Sequence, residues 1–253
     1  MVRQCKEAMK RAIVDGTELI ELQFPPGGLE LASGDLEGNV ECNLTTERLR
    51  GICDGFRELG MAEKTRVLFP DPTETRLALT GETRAMFGDW VGRVDYLDDP
   101  SFMSVSGLDK ILGTKKSIAE RMGADDAAFV VAYPSANISE LANTRDLYED
   151  AVRGSGRPLV VCNGEMERTR SNYYPPFWNA GEMGPLREFA RKFEGVYVIY
   201  NFKGSNPAVL FRVYPEPWQV LRRRRDGSLE RVATFEKFES VKAVALEILP
   251  THP

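Results

Sequence analysis

The chain has almost no histidine: one in 253 residues, His252, next to last in a tail that ends Pro-Thr-His-Pro. A tail residue is poorly placed for catalysis, so Ser-His-Asp and Cys-His mechanisms and His-ligated zinc drop out. Cysteine is also scarce. Cys5, Cys42, Cys53 and Cys162 are widely spaced and form no C-x-x-C pair, which reads as free thiols rather than disulfides or a metal site. No apolar run approaches the ~18 residues needed to span a bilayer. "AAFVVAYP" and "VKAVALEIL" are core-sized, and the N-terminus lacks the apolar centre of a signal peptide. A net charge of −5 gives no overall basic footprint, and nucleic acid is not an expected partner. Glycine motifs for nucleotides are missing too: "GTKKS" lacks the Walker spacing, and "GSGRP" precedes a strand rather than a helix.

What is present is the composition of an ordinary folded protein, 42% hydrophobic and 28% charged. Cys5, Met9, Ala12 and Ile13 share one face of an N-terminal helix. "TELIELQF" then reads as a strand running into Pro25-Pro26-Gly27-Gly28, followed by a polar loop to about residue 42. A helix over 45–59, the strand "TRVLF", a helix over 73–87 and the weaker strand "VGRVDYL" come next. Residues 98–124 read as loop with a short helix near "KKSIAERMG". "AAFVVAY", a helix over 138–152 and "RPLVVC" complete a strand–helix alternation that favours a parallel sheet covered on both faces.

Beyond a helix at 185–194 the pattern changes. "GVYVIYNF", "AVLFRVY", "WQVLRRRR" and "LERVATFEKF" are joined by short Gly-, Pro- and Asp-containing turns, as in an antiparallel meander, and a helix at 240–248 closes it. The expected fold is a three-layer, Rossmann-like mixed α/β sheet. Its N-terminal part is parallel (the alternating segment 1–165) and its C-terminal part, within 185–248, antiparallel, all in one domain over 1–253.

Ligands of open parallel sheets bind beyond the carboxyl ends of the strands. Those ends carry Asp71, Glu74, Ser135, Asn137, Asn163 and Glu165, an oxygen-rich rim that could hold a phosphorylated ligand, with Mg²⁺ if the carboxylates converge. A competing reading is specific. In Asp71-Pro72-Thr73-Glu74, Asp is an N-cap, Pro occupies N1 and Glu N3; Asn137 to Glu140 repeats the arrangement. We read these first as caps, and expect neither a catalytic residue nor a resident metal or cofactor.

Two other segments are candidate partner surfaces. Tyr173, Tyr174, Phe177 and Trp178 crowd a proline-stiffened loop, which either contacts a partner or folds back over the sheet edge. Arg222, Arg223, Arg224 and Arg225 flank an Asp-Gly turn. They form either a solvated tip that discourages edge pairing or a contact for lipid headgroups or an acidic partner. Residues 187–225 hold nine Arg or Lys against three Glu, so that segment is +6 and the remainder −11.

Several of these stretches are familiar in this order: "VLFPD", "VVAYP", "PLVVCNGEM" and "FEGVYVIYNFKGSNPAVLFRVYPEPWQVL". Together they resemble a plant and algal plastid domain of unknown function, one found in the low photosystem II accumulation factor and appended to a chloroplast adenylate kinase. The likeness runs from the first helix to about residue 248. It implies a chloroplast location, in the stroma or at the stromal face of the thylakoid. It also implies a non-enzymatic role in photosystem assembly, with a photosystem subunit or another assembly factor as partner and peripheral membrane contact. It supplies no catalytic residues, and the kinase association does not transfer because no kinase phosphate loop is present. The alternative class is an enzyme or sensor that binds a nucleotide or other phosphorylated small molecule at the strand-end rim.

Overall fold

A computed structural model describes residues 1–28, 31, 35–81, 85–98, 118–135, 137–171, 180–204, 207–238 and 240–251. One nine-stranded sheet runs through it, in the order β3-β2-β4-β5-β1-β6-β7-β8-β9. The strands are β1 (Leu19–Gln23), β2 (Thr65–Phe69), β3 (Arg93–Tyr96), β4 (Ala128–Ala132), β5 (Leu159–Cys162), β6 (Glu194–Phe202), β7 (Ala208–Val213), β8 (Trp218–Arg223) and β9 (Leu229–Phe235). The first six pair in parallel, and β6 to β9 form the antiparallel meander. The expected mixed α/β architecture is the observed one.

Side-chain alternation divides the core between the two sheet faces. Val67 and Phe69, Val130 and Ala132, and Val160 and Cys162 point to one face. There they meet Cys5, Met9 and Ala12 of α1 (Val2–Val14), Leu49, Ile52 and Phe56 of α2 (Gly38–Glu58), and Ala78 of α3 (Pro72–Thr80). Leu68, Phe129, Val131 and Val161 point the other way. They pack under Leu141 and Leu147 of α4 (Ile138–Leu147) and Leu186, Phe189 and Ala190 of α6 (Ala180–Arg191). Central parallel strands buried on both faces must be apolar at nearly every position, which is why "AFVVA" and "LVVC" show no alternation. A third cluster, built on Trp218, Leu210 and Val220, continues the second face beneath the C-terminal turns 241–251.

Several boundaries differ from expectation for identifiable reasons. α2 starts at Gly38 rather than 45, because its first two turns are largely solvent-facing and carry no apolar stripe. α3 ends at Thr80 rather than 87, where Gly81 adopts φ 62°. α6 starts at Ala180 and runs through Pro185, which the sequence reading placed at its beginning. A short helix, α5 (Met166–Arg170), was not anticipated. The closing helix is a single α turn, α7 (Val241–Ala243), continued by a wider turn over Val244–Ile248 and a tight one over Leu249–Thr251. All four cysteines are free, with Cys5, Cys53 and Cys162 buried. No helix among the described residues is long and apolar enough to cross a membrane.

Strand order fixes where a ligand could enter. The chain leaves β1 and β2 toward the face of α2 and α3, and leaves β4 and β5 toward the face of α4 to α6. Two junctions, β2/β4 and β5/β1, therefore have connections diverging to opposite faces. Such divergence opens a crevice at the carboxyl edge.

Candidate functional site

A cavity of about 450 Å³ occupies that edge, and all six strand-end residues singled out above line it: Asp71, Glu74, Ser135, Asn137, Asn163 and Glu165. Its wall is completed by Glu41, Cys42 and Thr45 of α2, Tyr133, Glu140, and Arg168 of α5. Glu41 could not be placed there from sequence because the start of α2 reads as loop. Glu140 and Arg168 show only as helix-surface charges until the three strand ends are brought together.

Three of the expected residues have most of their hydrogen-bonding capacity committed to structure. Asp71 is an N-cap: its Oδ1 accepts from the backbone N–H of Thr73 at 2.7 Å and of Glu74 at 2.9 Å. Asp71→Ala should cost about 1 kcal/mol in urea unfolding, whereas Asp71→Asn, which can still cap, should cost only a few tenths. A comparable loss from Asn would assign the role to the charge instead. Asn163 is a brace. Its Oδ1 accepts from the Phe24 N–H at 2.8 Å and its Nδ2 donates to Thr45 Oγ1 at 2.9 Å, which ties the ends of β5 and β1 to α2. Glu165 accepts from Gln23 Nε2 at 3.1 Å and pairs with Arg168 at 3.2 Å. Asn137 holds the N-cap position of α4, but its Nδ2 turns to Glu140 Oε1 at 3.2 Å and makes no capping bond of its own.

Backbone strain is concentrated at the same place. Among the described residues, the non-glycine residues with positive φ are Tyr133 (34°), Asn163 (53°) and Glu165 (48°), and all three line this cavity. Asn tolerates the left-handed region, while Tyr and Glu are held there at a cost of about 1 kcal/mol or more each. The surroundings hold them firmly: the Tyr133 N–H donates to Cys162 O at 2.7 Å, and its hydroxyl to Glu74 Oε2 at 2.9 Å.

The electrostatics have one sign. Five carboxylates (Glu41, Asp71, Glu74, Glu140, Glu165) face one guanidinium, Arg168. Burial raises the Glu41 carboxyl above its ordinary range, and the Glu165 carboxylate adds to the rise. Burial together with Glu74, Glu41 and Glu140 pushes the Cys42 thiol up to about 11, so it stays protonated and unreactive near neutral pH. Burial and Glu74 likewise raise the Tyr133 hydroxyl. Despite the number of acids, no group of three or more His, Cys, Asp or Glu among the described residues is arranged to hold a metal ion. Such a lining attracts an organic cation and repels phosphate.

At the other candidate surface, β8 ends at Arg223, so Arg224 and Arg225 belong to the turn itself. Arg224 grips Glu230 through Nε at 3.1 Å and Nη2 at 2.6 Å, and Asp226 Oδ1 accepts from the Ser228 N–H at 2.9 Å. At least five of the nine cations in 187–225 are held in ion pairs: Arg191 with Glu188, Lys192 with Glu149, Lys203 with Asp35, Arg212 with Glu194, and Arg224 with Glu230. The excess of positive charge along the sequence is therefore partly neutralised in space. Tyr173, Tyr174, Phe177 and Trp178 lie outside the described residues, as does His252.

Fold and cavity together define an α/β protein of the open-sheet type, with a strained, acidic cavity at the carboxyl edge of its parallel strands. The chain belongs to the family described as domain of unknown function (DUF1995), whose model matches residues 1–245. No curated protein and no solved structure matches it.

Proposed function

We propose that this protein acts by binding rather than by catalysis, and that its strand-end cavity receives a basic segment of a protein partner. The observation that carries this reading is the lining, in which five carboxylates oppose one guanidinium around three strained residues. Burial raises the Glu41 carboxyl and Glu165 adds to the rise; a Lys or Arg side chain entering the cavity offsets both. The resemblance supplies the setting: the chloroplast, at the stromal face of the thylakoid, in assembly or accumulation of photosystem II. The partner is then a photosystem subunit or a fellow assembly factor. Loops of membrane proteins left on the side of synthesis carry an excess of Lys and Arg, which is the chemistry this cavity accepts.

Arg222 to Arg225 at the hairpin tip add a peripheral contact with anionic lipid, and the Tyr173–Trp178 loop adds partner area. The alternative, a phosphorylated small molecule at the rim, meets the same five carboxylates as repulsion.

A photo-crosslinking residue placed at Ser135 and used with isolated thylakoids tests the proposal. A membrane-protein adduct that disappears in the Glu41→Lys/Glu74→Lys variant is expected. Reversing Arg223 and Arg225 to Glu should reduce flotation with vesicles containing anionic lipid. Adducts confined to soluble proteins, or unchanged by the charge reversal, would overturn the reading. Thermal stabilisation by nucleotides or sugar phosphates would favour the enzyme or sensor class.

A further inference from the structure

A second cavity, of about 520 Å³, lies where α5 and the residue before β6 meet β7, β8 and the segment after β9, and it shares no lining residue with the first. Its wall contains three buried polar atoms that have no partner among the described residues: Glu167 Oε2, Arg212 Nε and Trp218 Nε1. The three residues are 8%, 9% and 1% exposed. Folding has therefore stripped water from two N–H donors and a carboxyl oxygen without replacing it, a cost proteins rarely leave standing. The other orphaned atoms, on Trp90, Arg187 and Asn201, line neither cavity.

The three groups are held in place by their other contacts. The Arg212 guanidinium lies over the Trp218 indole, 5.2 Å from its centroid, and its Nη2 is fixed by Glu194 at 2.6 Å. Both unused N–H donors thus belong to one stacked pair. Glu167 is anchored by the Val241 N–H, which donates to its Oε1 at 3.1 Å. Burial pushes that carboxyl up to about 7, so near neutral pH Oε2 carries a proton part of the time and is then a third donor. The other charges of the wall are balanced: Arg170 pairs with Glu21, Arg191 with Glu188 and Arg212 with Glu194, while Lys237 and Glu236 are of opposite sign. The unused N–H donors, rather than an excess of positive charge, set what the cavity accepts. Phe193 and Phe238 supply apolar surface, and Phe238 packs edge-on against Trp218 with centroids 4.9 Å apart.

We propose that this cavity binds a small organic carboxylate with an aromatic or apolar body. The carboxylate accepts from Trp218 Nε1–H and Arg212 Nε–H, the Glu167 carboxyl completes the set of donors, and the body rests against Phe193 and Phe238. Phe238 is only half-buried and so leaves part of its ring open to such a body. Two N–H donors on one carboxylate fix its plane as well as its charge, while the apolar body separates such a ligand from inorganic anions. This site goes beyond the partner-binding reading and does not depend on it.

Titration of ¹⁵N-labelled protein with phenylacetate tests the site. At millimolar concentration it should shift, saturably, the indole N–H resonance that vanishes in Trp218→Phe. Arg212→Lys keeps the positive charge but lacks the Nε–H, and should weaken binding by about tenfold or more while its thermal midpoint shows that it folds. Acetate and inorganic phosphate should bind less well. The proposal fails if that resonance does not move, if acetate or phosphate matches phenylacetate, or if folded Arg212→Lys binds like the wild type.

Discussion

Arg170→Met should lower the unfolding free energy by about 3–5 kcal/mol, and adding Glu21→Leu to the same chain should restore most of it. Glu21 is fully buried in β1, at the centre of the sheet, where its neighbours along the strand are apolar. It survives there because Arg170 Nη2 lies 2.6 Å from its Oε2 and the Tyr200 hydroxyl reaches Oε1 at 3.4 Å. Arg170 is anchored in turn by Nε donating to Ala190 O at 2.9 Å. Burial acts to lower its pKa, but Glu21, with Tyr200 and Glu167 adding to it, more than offsets burial and holds the guanidinium charged. Removing the cation alone strands a carboxylate in the core, whereas removing both charges leaves apolar volume. Urea unfolding of the single and double variants measures the difference. A double variant no more stable than Arg170→Met would show that the cost lies in packing around Arg170 and not in the stranded charge.

A second large effect is expected at the opposite end of the strands. Asp126→Ala should cost about 3 kcal/mol. The Asp126 side chain is completely buried just before β4 and collects donors from three directions. Arg66 Nε of β2 lies at 2.8 Å, the Gly123 N–H at 2.8 Å, and Arg93 of β3 closes on Oδ1. Asp95 works in parallel, pairing with Arg66 at 3.1 Å and with Arg121 at 2.8 Å. These five charged residues thus clamp β2, β3 and the entry to β4, and β3 is an edge strand only half-buried along its length. An isolated surface pair would be worth less than about 1 kcal/mol. A loss of that size in guanidinium unfolding would mean that the cluster behaves as solvated.

The sequence made some of this legible and hid the rest, for physical reasons. Short unbroken apolar runs such as "AFVVA", bounded by turn residues, fit strands buried on both faces, so the parallel half and the Asp71 cap could be read directly, whereas Asn137 holds its cap position without a capping bond. The same capping chemistry that made Asp71 recognisable also explains why it alone does not define a site. The rim residues were predictable as a set because strand ends in this topology share one edge. Glu41 was not, since an exposed helical turn such as "NVEC" carries no apolar period. The burial of Glu21 within "LIELQ" could not be read, because its partner Arg170 sits 149 residues away in a helix of five residues. The orphaned atoms of the second cavity left no trace in the sequence at all. A Trp and an Arg on consecutive strands meet a Glu of the short helix α5 only in the folded sheet, and only there does each keep one polar atom unused.

The position of β1 has a consequence for how the chain is made. β1, the first strand of this sheet in chain order, lies between β5 and β6, which pair with it at Leu159 and Glu194, 140 and 174 residues after the Leu19 and Ile20 they meet. At 5–20 residues per second, roughly 10–35 s separate the emergence of "LIELQ" from that of its second neighbour. For most of that interval, until β5 and then Arg170 emerge 140 and 149 residues later, an apolar strand with both edges open carries a carboxylate still awaiting its arginine. The sheet can close around β1 only once β5, Arg170 and β6 have all emerged.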